Sequence, residues 1–275
     1  MCELFAMSSR LPATVRYSFA EFARHGGGTA PHADGWGIGY YVDGDVRVIR
    51  EAGPAVASSC ARLLHEVPFS SDRVIAHIRL ATRGDRALRN TQPFQRELGG
   101  RMHLFAHNGA LRIEPLQPML RRDGPLPVGE TDSELAFCLL LQRLRPLWLA
   151  SEGMPPAADR LAVVVELAAL LRPLGPANFL YCDGDLLFVH AHRRTQAPGR
   201  IEPPGLHLLE RHCPLEMARV EVPGLEIGAA ASGAQDVALV ASVPLTDEAG
   251  WRPLAEGEVL AIRGGRVLNV QPAAR

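Results

Sequence analysis

Apolar positions recur along this chain with two spacings, and those spacings predict its elements before any residue is considered for chemistry. Short apolar runs bounded by Gly, Asp and Pro predict strands at Trp36–Val42, Val46–Ile49, Arg73–Ile78, Met102–Ala106, Phe179–Tyr181, Leu186–Ala191, Val237–Val243 and Val259–Ile262. Asp43-Gly44-Asp45 and Asp183-Gly184-Asp185 supply hairpin turns between such runs, and Gly264-Gly265 does the same ahead of Arg266–Val270. Helical stretches are expected at Ser18–His25, Ser58–Val67, Pro115–Arg122, Asp132–Trp148 and Ala157–Leu171. Ahead of the fourth, Thr131-Asp132-Ser133-Glu134 sets a hydroxyl three residues before a carboxylate, a capping pattern that places Asp132 in the first turn. Strands and helices cluster without regular alternation and the turns are antiparallel, so a layered α+β fold is expected. The connections Gly124–Gly129, Gly153–Pro156 and Ala197–Gly205 are too short to separate folding units, and residues 1–275 read as one domain without repeats.

Charge and composition narrow the chemistry. With 29 basic against 30 acidic residues there is no basic field for a nucleic acid, and a small, roughly neutral substrate suits the balance better. The chain has no lysine, which excludes Schiff-base chemistry, pyridoxal phosphate attachment and a phosphate loop. Its five cysteines, Cys2, Cys60, Cys138, Cys182 and Cys213, are widely spaced with no C-x-x-C pair, so neither a disulfide framework nor a cysteine zinc site is suggested. The apolar run Leu161 to Leu171 is short and interrupted by Glu166, and no basic segment leads into an apolar one at the start, so the expectation is a cytoplasmic protein without a membrane span. Histidines His25, His32, His65, His190, His192 and His212 show no H-E-x-x-H spacing, and no metal or organic cofactor is expected; only His190 and His192, two apart on a strand, form a pair to inspect.

The start, Met1-Cys2-Glu3, carries the first chemical signal. A small residue after the initiator methionine permits its removal, which would give Cys2 both a thiol and a free α-amine. The amine titrates near ~7.7–8.0 and the thiol near ~8.5, so one residue can supply nucleophile and base. Alone, a second-position cysteine is more often an incidental thiol. The same holds for His107-Asn108-Gly109 as a plain turn, for Arg79 as a surface ion pair, and for Asp132 as a favourable charge at a helix start.

In order, however, Cys2 is followed by Asp34-Gly35-Trp36-Gly37-Ile38-Gly39, then His77-Ile78-Arg79-Leu80-Ala81-Thr82-Arg83-Gly84, then Asn90-Thr91-Gln92-Pro93-Phe94, His107-Asn108-Gly109 and Gly129-Glu130-Thr131-Asp132-Ser133-Glu134. This series, spanning residues 2–134, resembles the class II glutamine amidotransferases, members of the N-terminal nucleophile hydrolases. The resemblance is greatest to stand-alone bacterial members. It implies a four-layer αββα sandwich of two antiparallel sheets, completed by the C-terminal part. It implies Cys2 as nucleophile, the Asn108 side chain and Gly109 N–H as oxyanion donors, and Arg79, Thr82 and Asp132 as anchors for the α-carboxylate and α-ammonium of a glutamyl substrate. Trp36 and Gly37 would form a wall, with His107 as a further site residue.

Leu80, Arg83 and Gln92 stand where ammonia-channelling synthases of that family carry Trp, His and His, beside the loop that covers glutamine. The expected reaction is hydrolysis of the γ-amide of glutamine or of a γ-glutamyl compound through a thioester on Cys2. The alternatives are a glutaminase subunit passing ammonia to a separate partner protein, and a catalytically inactive binding module.

Overall fold

The structure, a computed structural model, describes residues 2–14, 16–29, 32–67, 69–196, 199–213, 220–222, 225–227 and 234–271. Met1, on which the expected processing falls, and Ala197 and Pro198 of the third connection lie outside the described residues. In chain order the elements begin β1 (Glu3–Ala13), α1 (Arg16–Arg24), β2 (Trp36–Val42), β3 (Asp45–Glu51), α2 (Ser59–Glu66), β4 (Ser71–Ile78), β5 (Phe94–Leu98) and β6 (Arg101–Gly109). They continue α3 (Asp132–Ala150), α4 (Ala157–Leu171), β7 (Ala177–Cys182), β8 (Leu187–His190), β9 (Arg194–Thr195), β10 (Ile201–Glu202) and β11 (His207–Cys213). The last are β12 (Val220–Val222), β13 (Leu225–Ile227), β14 (Gln235–Ala241), β15 (Arg252–Pro253), β16 (Val259–Arg263) and β17 (Arg266–Gln271).

Two large sheets result. One has seven strands in the order β15-β11-β14-β1-β4-β2-β3, the other six in the order β17-β16-β8-β7-β6-β5, and the ladders are antiparallel. The C-terminal half thus contributes strands to both sheets. Each expected hairpin is present; Asp43 and Gly44, at φ 52° and 81°, have the left-handed backbone a two-residue turn requires.

Side-chain alternation turns the sheets into layers. Leu4, Ala6, Ile75, Leu104, Ala106, Leu180, Val189, Val240 and Leu260 pack between the sheets. Phe5, Met7, Ile38, Val74 and Leu239 face the other way, onto Phe22 of α1 and Leu64 of α2. On the far side Phe105, Phe179 and Phe188 pack against Phe137 and Leu140 of α3 and Val164 and Leu167 of α4. This is the αββα sandwich, its apolar burial contributing at about 25 cal/mol per Å².

Differences from the sequence pattern have local causes. β1, β5 and β11 are strands that hydrophobic runs do not announce. β1 is buried on both faces through Ser9, so alternation is absent, and Ser8 and Ser9 break its apolar run. The helix expected at Pro115–Arg122 is only a 3-10 turn at Gln117–Met119, because Pro118 lacks an N–H and disfavours helical backbone in the residue before it.

Candidate active site

Extending the alternation by one step at one end of the sandwich puts polar residues where apolar ones had been. Cys2 precedes Leu4 on β1, His77 follows Ile75 on β4, Asn108 follows Ala106 on β6, Asn178 precedes Leu180 on β7, and Ser242 follows Val240 of β14. Cys2 is half-buried, with Sγ 3.3 Å from both the amide and the carbonyl of Leu80. Burial pushes its thiol above the ordinary value, opposed by the Leu80 backbone and the Arg79 charge and reinforced by Asp132. Beside Cys2, Glu3 meets His25 at 2.6 Å. Although burial opposes it, this bond holds the Glu3 carboxyl below its usual range, and it raises His25 in turn.

The His107-Asn108-Gly109 segment is held from several sides. The Gln92 side-chain amide bonds the His107 backbone twice, accepting from its N–H at 2.6 Å and donating to its carbonyl at 3.2 Å. A strand residue would make the same two bonds. The His107 ring points away from Asn108, toward the helical side, where it meets Ser133 Oγ at 2.9 Å and the Pro176 carbonyl at 3.3 Å. Asn108 is fully buried, its Nδ2 is 3.3 Å from Ser242 Oγ, and its Oδ1 has no partner. Gly109 is required by Pro176, whose carbonyl oxygen lies 1.8 Å from where a Cβ would sit.

Arg79 is buried and carries no carboxylate partner among the described residues. Its guanidinium donates to the carbonyls of Arg83, Gly84 and Asp85 at 2.9–3.0 Å, and it reaches that of Asp34 at 3.5 Å. A cation solvated only by neutral carbonyls retains its attraction for an incoming carboxylate. Asn90 joins this loop to the start of α3, donating to Asp85 O and Glu130 Oε2 and accepting from Glu130 N. Thr131 caps α3 by accepting from Glu134 N at 3.2 Å. The Glu134 carboxylate accepts from Gly129 N at 2.7 Å, not from the cap residue's own amide. Asp132, in the first turn, accepts from Leu111 N at 2.7 Å. It shares an open cleft of about 230 Å³ with Thr82, Arg83, Ala110, Leu111, Arg112 and Glu114.

Two expectations need correction. Trp36 is not a wall of this end: it lies on the opposite face of β2, buried among Phe5, Phe22 and Ile78, with Nε1 donating to Glu51 at 3.1 Å. The register that turns Ile38 toward α1 and α2 turns Trp36 the same way. Gly37 faces the other sheet, where a Cβ would come 2.3 Å from the Gln92 carbonyl. Gln92 itself is buried in the clamp on His107 and is no part of an open lid; Leu80 is half-buried and Arg83 exposed. The His190 and His192 rings stack 6.1 Å apart, and His190 Nδ1 bonds the Ala177 carbonyl at 2.7 Å. Among the described residues no group of three His, Cys, Asp or Glu is arranged to hold a metal, and no helix is long and apolar enough to cross a membrane.

Ser242, Asn178 and the Glu3–His25 pair are site-end residues that motif reading did not find. For Ser242 and Asn178 the only signal was strand parity, which needs the pairing register to be known; Glu3, of opposite parity to Leu4, and His25, just beyond α1, carried no such signal. Asn178 donates to the carbonyls of Asn108 and Arg193 and accepts from His192 N.

Comparison with known proteins agrees with this geometry. YafJ of Escherichia coli (strain K12), named provisionally as a glutamine amidotransferase, is 37% identical over 260 residues, which cover 94% of this chain and 96% of that one. The crystal structure of a predicted glutamine amidotransferase from Pseudomonas aeruginosa PA01 matches with TM-score 0.69 at 34% identity, over 98% of this chain and 100% of that one. Glutamine phosphoribosylpyrophosphate amidotransferase of Bacillus subtilis shares the fold, with TM-score 0.62 at 18% identity over 98% of this chain and 49% of its own. The family model described as class II glutamine amidotransferases matches residues 1–275 throughout, so the chain belongs to that family.

Proposed function

We propose that the protein is a cysteine-dependent amidohydrolase that cleaves the γ-amide of a glutamyl substrate through a thioester on Cys2. The observation that carries this is that strand register brings Cys2, its Sγ on the backbone of Leu80 next to Arg79, to the same sheet end as Asn108, a fully buried amide at the end of β6. Once Met1 is removed, the Cys2 α-amine takes the thiol proton and Sγ bonds the γ-carbonyl carbon. The resulting oxyanion is held by the Asn108 amide and the Gly109 N–H. The C–N bond then breaks as the leaving amine takes the proton. Water, deprotonated by the same α-amine, attacks the thioester, the C–S bond breaks with return of the proton to sulfur, and glutamate leaves. Arg79 and Thr82 hold the α-carboxylate and Asp132 the α-ammonium, so the reacting carbonyl is oriented before attack.

The preferred substrate is a γ-glutamyl compound larger than glutamine. Leu80 and Arg83 stand where relatives that enclose glutamine carry a tryptophan and a histidine, and the smaller side chain of Leu80 leaves more room for the group beyond the amide. Glutamate release from glutamine and a set of γ-glutamyl amides and dipeptides tests both statements. Cys2→Ala should abolish release while leaving the fold intact, and intact mass should show active molecules without Met1. A Cys2→Ala protein as active as the wild type removes the mechanism. A tenfold or greater preference for glutamine, about 1.4 kcal/mol of discrimination, favours ammonia delivery to a separate protein instead.

A further inference from the structure

Ser242 lies just beyond β14, 1% exposed, and joins the two chemical arms of the site. Its N–H donates to the Leu4 carbonyl at 3.0 Å, and its Oγ accepts from the Leu4 N–H at 2.9 Å. The same Oγ lies 3.3 Å from the Asn108 side-chain amide, and the Ser242 carbonyl accepts from Arg194 Nη1 at 2.9 Å. Leu4 is two residues from Cys2, so one hydroxyl spans the nucleophile strand and the buried asparagine.

The orientation of that asparagine matters. With Nδ2 toward Ser242, the hydroxyl receives two N–H groups, its own hydrogen finds no acceptor among the described residues, and Asn108 Oδ1 is buried without a partner. Two buried polar functions are then unmet at one contact, where native structures rarely leave one. Turning the amide by 180° about its terminal torsion removes both defects and leaves only the NH2 group, now at the former Oδ1 position, without an acceptor until an oxyanion forms. The Leu4 N–H still donates to Oγ, the Ser242 O–H donates to Asn108 Oδ1, and the Asn108 NH2 is left with both hydrogens directed away from Ser242.

We propose that Ser242 is a positioning residue: its hydroxyl locks the Asn108 amide with the NH2 group toward the developing oxyanion and fixes its distance from Cys2. The inference rests on the reading of Asn108 as an oxyanion donor. A hydroxyl in this role acts on the transition state through Asn108, so its loss lowers kcat and leaves substrate binding alone.

The test is steady-state kinetics on the best γ-glutamyl substrate, for wild type, Ser242→Ala, Ser242→Thr, Asn108→Ala and the Ser242→Ala/Asn108→Ala double variant. Ser242→Ala should lower kcat on the order of 10-fold, the weight of one hydrogen bond, with KM within about twofold of wild type. Ser242→Thr, which keeps the hydroxyl, should recover most of the loss. In the Asn108→Ala background Ser242→Ala should add nothing, since the group it orients is gone. Wild-type kcat for Ser242→Ala beside an impaired Asn108→Ala overturns the inference and leaves the oxyanion reading standing, as do independent, multiplying losses in the double variant. Wild-type kcat for Asn108→Ala removes both. If Ser242→Ala does not fold, Ser242→Cys, similar in size but a weak donor, takes its place: a lowered kcat at constant KM supports the proposal, and an unchanged kcat overturns it.

Discussion

The two ends of the sandwich bury comparable polar groups and treat them oppositely. At the end away from Cys2, Arg160 of α4 is 1% exposed and meets Asp183 at 2.6 Å and Asp185 at 2.7 Å. Asp183 also accepts from the amides of Asp185 and Leu186, Asp185 pairs with Arg263, and the Tyr41 hydroxyl reaches the carbonyls of Met102 and Cys182. Apart from Arg160 Nε and, on Trp148 beside the β5–β6 turn, Nε1, the buried polar atoms named here are matched. At the Cys2 end, both ring nitrogens of His77 and Nε2 of His190 are buried without partners. An unmet buried group costs about 1–3 kcal/mol, and such costs persist where function requires them. One end holds the hairpin turns together, and the other holds unmet groups beside the nucleophile.

This contrast can be broken most strongly with acid. Burial pushes His77 and His190 down to about 3, whereas an unfolded histidine titrates near ~6.5. Between those values the unfolded chain binds the extra protons, so stability falls as pH drops from about 6.5 toward 3, by on the order of a few kcal/mol per histidine. Below about 4.5 the protonation of Glu3, held low by His25 despite its burial, adds to the loss. Urea unfolding across this range measures it; stability constant from pH 6.5 to 4 would mean that the site-end imidazoles are solvated.

Asn108→Ala should lower kcat by about 10²–10³-fold, some 2.7–4 kcal/mol, with little change in KM. A rise in KM at unchanged kcat would assign Asn108 to substrate binding instead of to the transition state. At the other end, Asp183→Ala strips a partner from buried Arg160 and should destabilise by about 3 kcal/mol in equilibrium unfolding, while folded molecules keep wild-type kcat/KM. A loss below about 1 kcal/mol would show that Asp185 alone suffices. The smallest effect expected is that of Arg79→Ala, a rise in KM of about tenfold from the lost carboxylate grip. Its four carbonyl bonds also make it a tie for the 83–85 loop. Unchanged KM with a lowered melting temperature would leave it only that structural role.

Local rules were legible in the residues themselves. Turn chemistry located the Asp43-Gly44 and Gly264-Gly265 hairpins, capping chemistry set the start of α3 at Asp132, and apolar spacing gave α4 its bounds, Ala157–Leu171. Order along the chain gave the family, because Cys2, Arg79, Asn108 and Asp132 lie in motifs specific enough to identify without coordinates.

What the sequence could not decide depends on register and on contacts between distant segments. β1 is buried on both faces, so no alternation marks it as a strand, and only its pairing with β4 and β14 turns Cys2 and Leu4 inward. Trp36 and Gly37 are neighbours in sequence, yet the pleat sends one to the helical side and the other toward Gln92. Ser242 lies 134 residues from Asn108 and 238 from Leu4, and no local pattern could join them. Which residue types the chemistry needs is a property of side chains and can be read from the sequence; which of them meet is fixed by strand pairing, which forms only in the folded chain.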